Sequence, residues 1–471
     1  MKLRHIALNY ESLLDTTITV SGWVLSVRGQ KELTFIKIND GSNALGVQLI
    51  VTGIMEGIEK LGIGSSVTVT GLLVTSPAKE QPYEIQIKEL KILGLSDLET
   101  YPLAKGKLPM DYLRKYAHLR ARTSSFGSIF RIKSAISNAT HMFFKENGFL
   151  HINPNIVTVN ECEGGAGVFQ ITEHDISDHS NLPVLKEVSK ENPMITKDGT
   201  KHDWSRDHFD RPAFLTVSSQ LQLEALACSL GSVYTTNKSF RSEHSTTNKH
   251  LSEFEHLELE DIFTSLNDLM QIGEDYIKYV GNYLLTNSME DILNLGKFVS
   301  KGLLERINTI VGATFTRVSY KDSITILQQA SGLSKKAEYG DDLSSEYENY
   351  LTDYFKGPVF VYNWPHSIKS FYMKKLEDGE CENFDLLMPY KVGELIGGSM
   401  REDNLDTMLA TMKAKGVSPD PLQFYLDLRR FGTVPHGGFG LGLDRMCMMF
   451  TGMDNIKDVV AFPVHFKNCN Y

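Results

Sequence analysis

What the sequence lacks narrows it first. None of its 471 residues fall in a run of the ~18 consecutive apolar residues that would suggest a membrane span. The opening MKLRHIALNYESLLDTTITV has no continuous apolar core and no small-residue cleavage site, so no signal peptide is expected. It is also too acidic, and turns strand-like too quickly, for a transit peptide. Cysteine is scarce: Cys162, Cys228, Cys381, Cys447 and Cys469 are scattered, odd in number and form no C-x-x-C pair. That excludes a disulfide framework and a thiolate zinc site, and leads us to expect reduced, structural thiols in a cytoplasmic compartment. His174, His179, His202 and His208 are spaced too irregularly for a metal site and read as a solvated loop. No G-x-G-x-x-G fingerprint of a dinucleotide site is present.

Positive charge is also in deficit, with a net charge of −10. Its distribution is uneven: residues 99–150 hold nine Lys/Arg against three Asp/Glu, a local +6. Contact with a polyanion depends on local basic surface and not on the sum, so nucleic acid stays open as a partner.

What is present reads as two regimes. Residues 16–93 alternate like β-strands, with Val67, Val69, Gly71 and Leu73 on one side of a run, Ile85 and Ile87 starting another, and Asp40-Gly41-Ser42 as a turn. Short strands with glycine breaks suggest a small barrel. A basic connector, YPLAKGKLP (101–109), leads into helical spacing from Ser124 to Glu146, with Phe126, Ile129, Ile132, Ile136 and Phe143 on one stripe and Gly148 as the stop. Ser265 and Asp268 form a capping box before a second helix. The runs 215–218, 358–362 and 385–388 read as strands, so the chain is α+β.

Two segments carry chemistry. FRSEHSTTNKHLSEFEHLE (240–258) offers Arg241 and Glu243, a polar loop, then His250, Phe254 and Glu258. A strand–loop–strand of this composition puts a guanidinium, an imidazole and an aromatic face around one nucleotide, and the planar arginine fork suits phosphate. HGGFGLGLDRMCMMFTGMDNI (436–456) has glycines at 437, 438, 440 and 442, which let a strand run close to a ligand, with Arg445 opening the next helix.

Together these segments resemble motifs 2 and 3 of the class II aminoacyl-tRNA synthetases. Residues 240–258 fit F-R-x-E, a loop and (R/H)-x-x-x-F-x-x-x-(D/E), and residues 438–445 fit G-x-G-x-G-x-(D/E)-R. The helix at 124–146 followed by GFLHINPNI, with Pro154, resembles motif 1, which implies a homodimer. VSGWVLSVRGQKELTFIKINDGS (20–42) looks like the OB-fold anticodon domain of the aspartyl, asparaginyl and lysyl subgroup. FLTVSSQLQLEALA (214–227), DDLSSEYENYL (341–351), IKSFYMK (368–374), VGELIGGSMRE (392–402) and YLDLRRFGTVPHGGFGLG (425–442) look asparaginyl within it. Aspartyl enzymes carry a lysine where this chain has Leu223.

The resemblance implies an N-terminal OB-fold β-barrel (1–98), a basic hinge (99–122) and a catalytic domain with an antiparallel sheet flanked by helices (123–471). It implies activation of L-asparagine with ATP and transfer to the 3′ end of tRNA-Asn. Arg241 would hold the α-phosphate, Arg445 and His250 the γ-phosphate end, and Phe254 would stack on adenine. Asp385 and Glu394 would carry Mg2+. Glu163 and Gln220 would grip the α-amino group, with Arg401 and Glu243 at the side chain, and Arg28, Phe35 and Gln48 would read the anticodon. Gly165-Ala166-Gly167, Asn237-Lys238, Lys249, Glu255 and Val464 depart from the asparaginyl pattern. Those departures keep a catalytically silent RNA-binding paralogue open as an alternative, and an aspartyl enzyme, non-discriminating or otherwise, is the rival reading within the subgroup.

Overall fold

The computed structural model describes residues 1–30, 32–78, 81–103, 108–160, 167–178, 182–183 and 203–471. It divides into two units: Met1–Ser137 with Asn282–Ile307 and Phe450–Phe462, and Asn138–Gly281 with Asn308–Met449 and Pro463–Tyr471.

In the first unit, alternation builds a barrel. β1 (Thr17–Gln30), β2 (Leu33–Asn39), β3 (Val47–Thr52), β4 (Ser66–Thr75) and β5 (Tyr83–Gly94) close in the order β1-β2-β3-β5-β4, as the OB-fold expectation requires. On β4 every second side chain is buried, and Val67, Val69, Leu73 and Ile85 share one core with Ile36 and Ile38. Each such burial is worth about 1.5–3 kcal/mol. The 40–42 turn forms as expected, with Asp40 Oδ1 accepting from the Ser42 amide at 2.9 Å and Gly41 at φ 84°. The first residues differ from expectation. Leu3–Leu13 is a helix whose Leu3 and Ile6 enter the barrel core.

The basic tract is less available than its charge count suggests. Arg120 is fully buried and donates to the carbonyls of Lys457 (3.0 Å) and Ala461 (3.2 Å). Arg114 pairs with Asp458 at 2.6 Å and Arg131 with Asp291 at 2.8 Å. These cations hold segments of the unit together, while Arg122 remains exposed with its guanidinium 5.3 Å from the Trp23 ring.

The second unit is built on an eight-stranded sheet. Its strands are β6 (Leu150–His151), β10 (Val233–Phe240), β11 (Glu253–Ile262), β12 (Thr316–Ser319), β13 (Val359–Tyr362), β14 (Asn383–Met388), β15 (Gly393–Met400) and β16 (His436–Gly442). The order is β12-β13-β14-β15-β16-β11-β10-β6, antiparallel except at β12/β13 and β10/β6. A small sheet, β7 (Val157–Thr158), β8 (Gln170–Ile171) and β9 (Ala213–Leu215), lies in the same unit.

The helix expected at Ser265 spans Leu266–Asn287, and its capping box is reciprocal: Ser265 N–H reaches Asp268 Oδ2 at 3.0 Å and Asp268 N–H reaches Ser265 Oγ at 3.3 Å. Residues 216–218 do not extend β9. Thr216 Oγ1 donates to the Ser218 carbonyl at 2.7 Å, and Ser218 Oγ donates to the Glu258 carboxylate, so the hydroxyls fold the chain into the start of the helix Gln220–Leu230.

Candidate active site

β11 places Phe254, His256, Glu258 and Glu260 at every second position, so all four project from one face of the sheet. Across the sheet, Asp385 on β14 pairs with Gly397 on β15, Gly397 with Gly440 on β16, and Gly440 with Glu258. The next row runs Asn383, Ser399, Gly438 and Glu260. Asp385 on one side and Glu258 and Glu260 on the other therefore flank strands whose central positions carry little or no side chain, and the space left is a cavity of about 540 Å³. A Cβ on Gly438 would overlap the Leu259 carbonyl and the Glu260 carboxylate.

Of the residues singled out in the sequence, Gln220, Arg241, Asp385, Glu394 and Arg401 all line this cavity. Arg241 follows β10, with its guanidinium 5.6 Å from the Phe254 ring. Glu243 and His250 are exposed on the loop between β10 and β11. His250 Nδ1 lies 2.5 Å from Thr247 Oγ1 and 3.0 Å from Ser245 Oγ. Glu163 lies outside the described residues, as do Cys162, His179 and His202.

Positive charge converges at one end. Arg445, in the first turn of the helix Leu443–Thr451, donates through Nη1 to the Glu394 carbonyl. Partial enclosure lowers the His250 pKa, as do Arg445, Arg241 and Lys249, while Glu243 opposes them. Burial lowers Lys249 too, with Glu348 pulling it up and Arg445 pushing it down. Cations crowded until they repel one another are what a polyphosphate would relieve. Two departures from the expected pattern are structurally accommodated. Asn237 Nδ2 donates to the Pro154 carbonyl at 3.3 Å, and the Val464 carbonyl accepts from the Ser252 amide at 2.9 Å.

Asp385 and Glu394 converge on Gly397, where a Cβ would lie 3.5 Å from Asp385 Oδ1 and 3.2 Å from Glu394 Oε1. Asp385 Oδ2 accepts from Lys369 Nζ at 2.8 Å, and that ammonium sits 3.7 Å from the Trp364 ring centroid. Glu394 meets the solvent of the cleft yet is hemmed in by protein. That enclosure and the Asp385 carboxylate push its pKa up to about 7. Among the described residues no group of three ligands could cage an ion. Two hard carboxylates from neighbouring strands, facing the open space over Gly397, do fit a magnesium ion, which keeps several waters and takes phosphate oxygens as further ligands.

The cavity floor holds residues the sequence reading passed over. Arg401 Nε donates to Glu260 Oε2 at 3.1 Å, its Nη2 to Glu260 Oε1, and its Nη1 to Ser399 Oγ at 2.7 Å. Behind it, Glu224 accepts from Gln220 Nε2 (3.0 Å), Tyr425 OH (2.9 Å) and Arg429 Nη2 (3.0 Å), and faces His436 Nε2 at 3.0 Å. Burial alone would raise Glu224, but Arg429 and His436 hold it well below the usual carboxylate range. Burial pushes Glu260 up to about 7 against the pull of Arg401, and the Glu224 carboxylate adds to the rise. Its place two positions after Glu258, on the same strand face, was the one sequence signal for Glu260. Nothing local points to Glu224 and Arg429, whose contact spans 205 positions.

Comparison with known proteins follows the same division. Residues 109–465 match the family of class II tRNA synthetases (D, K and N), and residues 18–93 match the OB-fold nucleic acid binding domain. The chain is 41% identical to the asparagine–tRNA ligase of Protochlamydia amoebophila over 473 residues, covering 98% of this chain and 97% of the relative. It is 42% identical to that of Treponema denticola over 456 residues, covering 95% of each. The Pyrococcus horikoshii asparaginyl-tRNA synthetase, solved with asparaginyl-adenylate, superimposes with a TM-score of 0.82 at 30% identity over 97% of both chains. With its sheet, its glycine strand and its near full-length relatives pointing the same way, the chain belongs to the class II tRNA synthetases of the D, K and N group.

Proposed function

We propose that this chain is an asparagine–tRNA ligase, which activates L-asparagine with ATP and transfers it to the 3′ end of tRNA-Asn. The observation that carries the reading is the single cavity lined by Arg241, Asp385, Glu394, Gln220 and Arg401 in a chain about 40% identical to asparagine–tRNA ligases along its length. Residues 1–98 form the anticodon-binding domain, 99–122 a basic hinge and 123–471 the catalytic domain. No helix among the described residues is long and apolar enough to cross a membrane, and we assign the enzyme to the cytoplasm.

The asparagine carboxylate attacks the α-phosphorus of ATP and pyrophosphate leaves. The terminal ribose 3′ hydroxyl of tRNA then attacks the activated carbonyl and releases AMP. Neither step calls for a protein nucleophile, so the side chains act by positioning and by balancing charge at a crowded phosphorus. Arg241 takes the α-phosphate, Phe254 stacks on adenine, and Arg445 and His250 take the γ-phosphate end. Gln220 and Glu163 hold the α-amino group, Arg401 and Glu243 the side chain. Mg2+, held by Asp385 and Glu394, would neutralise phosphate charge when bound.

Phe35 belongs to the anticodon face. It lies opposite Arg28 on β1 and Ile50 on β3, and Lys37 lies opposite Gln48, whereas the alternating Ile36 and Ile38 enter the barrel core. Stacking of a base on an aromatic is worth ~1–3 kcal/mol. Phe35→Ala is therefore expected to weaken tRNA charging and to leave tRNA-free ATP–pyrophosphate exchange intact. Equal loss in both assays would return Phe35 to a packing role.

The protein acts as a homodimer through the helix Ser124–Glu146 and the strand around Pro154. Leu150, Ile156, Val157 and Val159 are exposed apolar residues along that stretch, the kind of surface that association covers. Sedimentation is expected to give twice the mass of the chain, and Val157→Lys a monomer. A monomeric wild type would overturn this assignment.

A further inference from the structure

Residues 241–252 join β10 to β11 and carry Arg241 and His250, two of the groups assigned to phosphate. The base of this loop is tied down. The Arg241 amide donates to the Ser252 carbonyl at 3.0 Å, and the Ser242 amide to the Gly167 carbonyl at 2.8 Å. Its tip is knitted locally, with the Thr247 hydroxyl 2.5 Å from His250 Nδ1 and the Thr247 amide 3.4 Å from Ser245 Oγ. Both contacts are exposed to competing water, so they shape the tip without fixing where it stands. A distant segment of the same unit reaches the loop on both limbs. The Val464 carbonyl accepts from the Ser252 amide at 2.9 Å, and the Phe466 ring stacks on His244 with centroids 4.6 Å apart and planes 25° from parallel. A closed turn aims Phe466. The His465 amide donates to the Asn468 carbonyl at 3.1 Å, the Asn468 amide donates back at 2.8 Å, and Asn468 Nδ2 donates to the Pro463 carbonyl at 2.8 Å. Lys467 takes φ 63° in that turn, a conformation that is costly for an L side chain. Phe466 is half-buried and His244 exposed, and neither lines the cavity.

We propose that Phe466 is a positioning residue for ATP: by stacking on His244 it holds the loop 241–252 where its side chains meet the phosphates. The inference rests on the ATP assignments above. Burial and the Arg445 charge lower the His250 pKa, so the tip of the loop stands beside the helix that Arg445 opens. Val464 pins the outgoing limb at Ser252, and Phe466 pins the incoming limb at His244. A loop pinned before ATP arrives need not be ordered on binding, a cost that would otherwise be taken from affinity. One stacked aromatic pair contributes a preference of about twofold to tenfold. Asparagine depends on the loop less, since Gln220 and Arg401 lie on other elements and Glu243 alone lies within it. Phe466 touches no substrate in this reading and acts through His244. That role shows as a rise in the KM for ATP, whereas loss of packing alone would lower the amount of folded enzyme and leave both KM values in place.

The test is ATP–pyrophosphate exchange, with the KM for ATP and the KM for asparagine read separately in wild type, Phe466→Ala, Phe466→Tyr, His244→Ala and the double alanine variant. Phe466→Ala is expected to raise the KM for ATP about fivefold to tenfold, and that for asparagine by no more than about twofold. Phe466→Tyr keeps the ring and is expected to stay within about twofold of wild type for both. His244→Ala should match Phe466→Ala, and the double variant should be no worse than either, because each single change already removes the stack. An unchanged KM for ATP in Phe466→Ala, an equal rise in both KM values, or effects that add in the double variant would overturn the proposal. Should Phe466→Ala fail to fold, His244→Ala decides, since that side chain is exposed. A KM for ATP raised about fivefold in that variant supports the proposal, and an unchanged one overturns it. A wild type driven by another amino acid would defeat the asparagine reading alone, and the KM for ATP would then be read with that amino acid.

Discussion

Replacing Arg241 or Arg445 with alanine is expected to abolish adenylate formation while the protein stays folded. Arg241 lines the cavity beside Phe254, and Arg445 opens a helix at its cationic end. Each would meet negative charge that builds up as the α-phosphorus becomes five-coordinate, and losing one such stabiliser costs ~2.7–4 kcal/mol, about 10²–10³ in rate. The damage should fall on kcat more than on the KM for asparagine, since neither residue is assigned to the amino-acid end. Circular dichroism and thermal melting that match wild type would separate this from unfolding. Near-normal exchange in either variant would remove that arginine from the catalytic assignment.

The second large effect concerns the side chain. Wild type is expected to favour asparagine over aspartate by about 10⁴, the scale a hydrogen-bonding site reaches when the wrong analogue leaves groups unpaired. Arginine only donates, so the amide NH2 needs an acceptor elsewhere. We assign that acceptor to Glu243, directly or through water. Glu243 is exposed on the loop between β10 and β11, close enough to His250 to oppose the lowering of its pKa by burial and by Arg445. Glu243→Gln is expected to erode the preference by about tenfold to a hundredfold, measured as the ratio of kcat/KM for the two amino acids. An inactive variant with its preference unchanged would move Glu243 to ATP binding.

How far these assignments were legible in the sequence depended on the range of the interactions involved. Local rules worked where the structure obeys local physics. The period-two pattern around Val67 and Val69 does mark a barrel core, and Ser265 with Asp268 does start a helix. They failed where a side chain from elsewhere decides. Residues 216–218 look like a strand, yet Glu258 takes the Ser218 hydroxyl and the Ser219 amide as donors and turns the segment into a helix entry. The amino-terminal helix shows few of the usual signals, with no side-chain cap and only Leu3 and Ile6 buried. The charge of the 99–150 tract misleads because Arg114, Arg120 and Arg131 find partners within their own unit.

The candidate site divides in the same way. Arg241, Phe254 and Arg445 lie in contiguous signatures and could be named from them. Glu260, Glu224 and His436 could not, because the pairings that give them meaning join residues 141 and 212 positions apart. A carboxylate in a strand reads as a surface acid until the fold shows that its neighbours across the sheet are glycines.

The most direct test of the account is ATP–pyrophosphate exchange by the wild-type protein with each of the twenty amino acids in turn. The expected result is exchange driven by asparagine, with aspartate lower by about 10⁴ and the rest at background. Exchange driven better by aspartate or lysine would contradict the assignment of substrate. Exchange with none, in protein that still binds tRNA, would contradict the assignment of an enzyme at all.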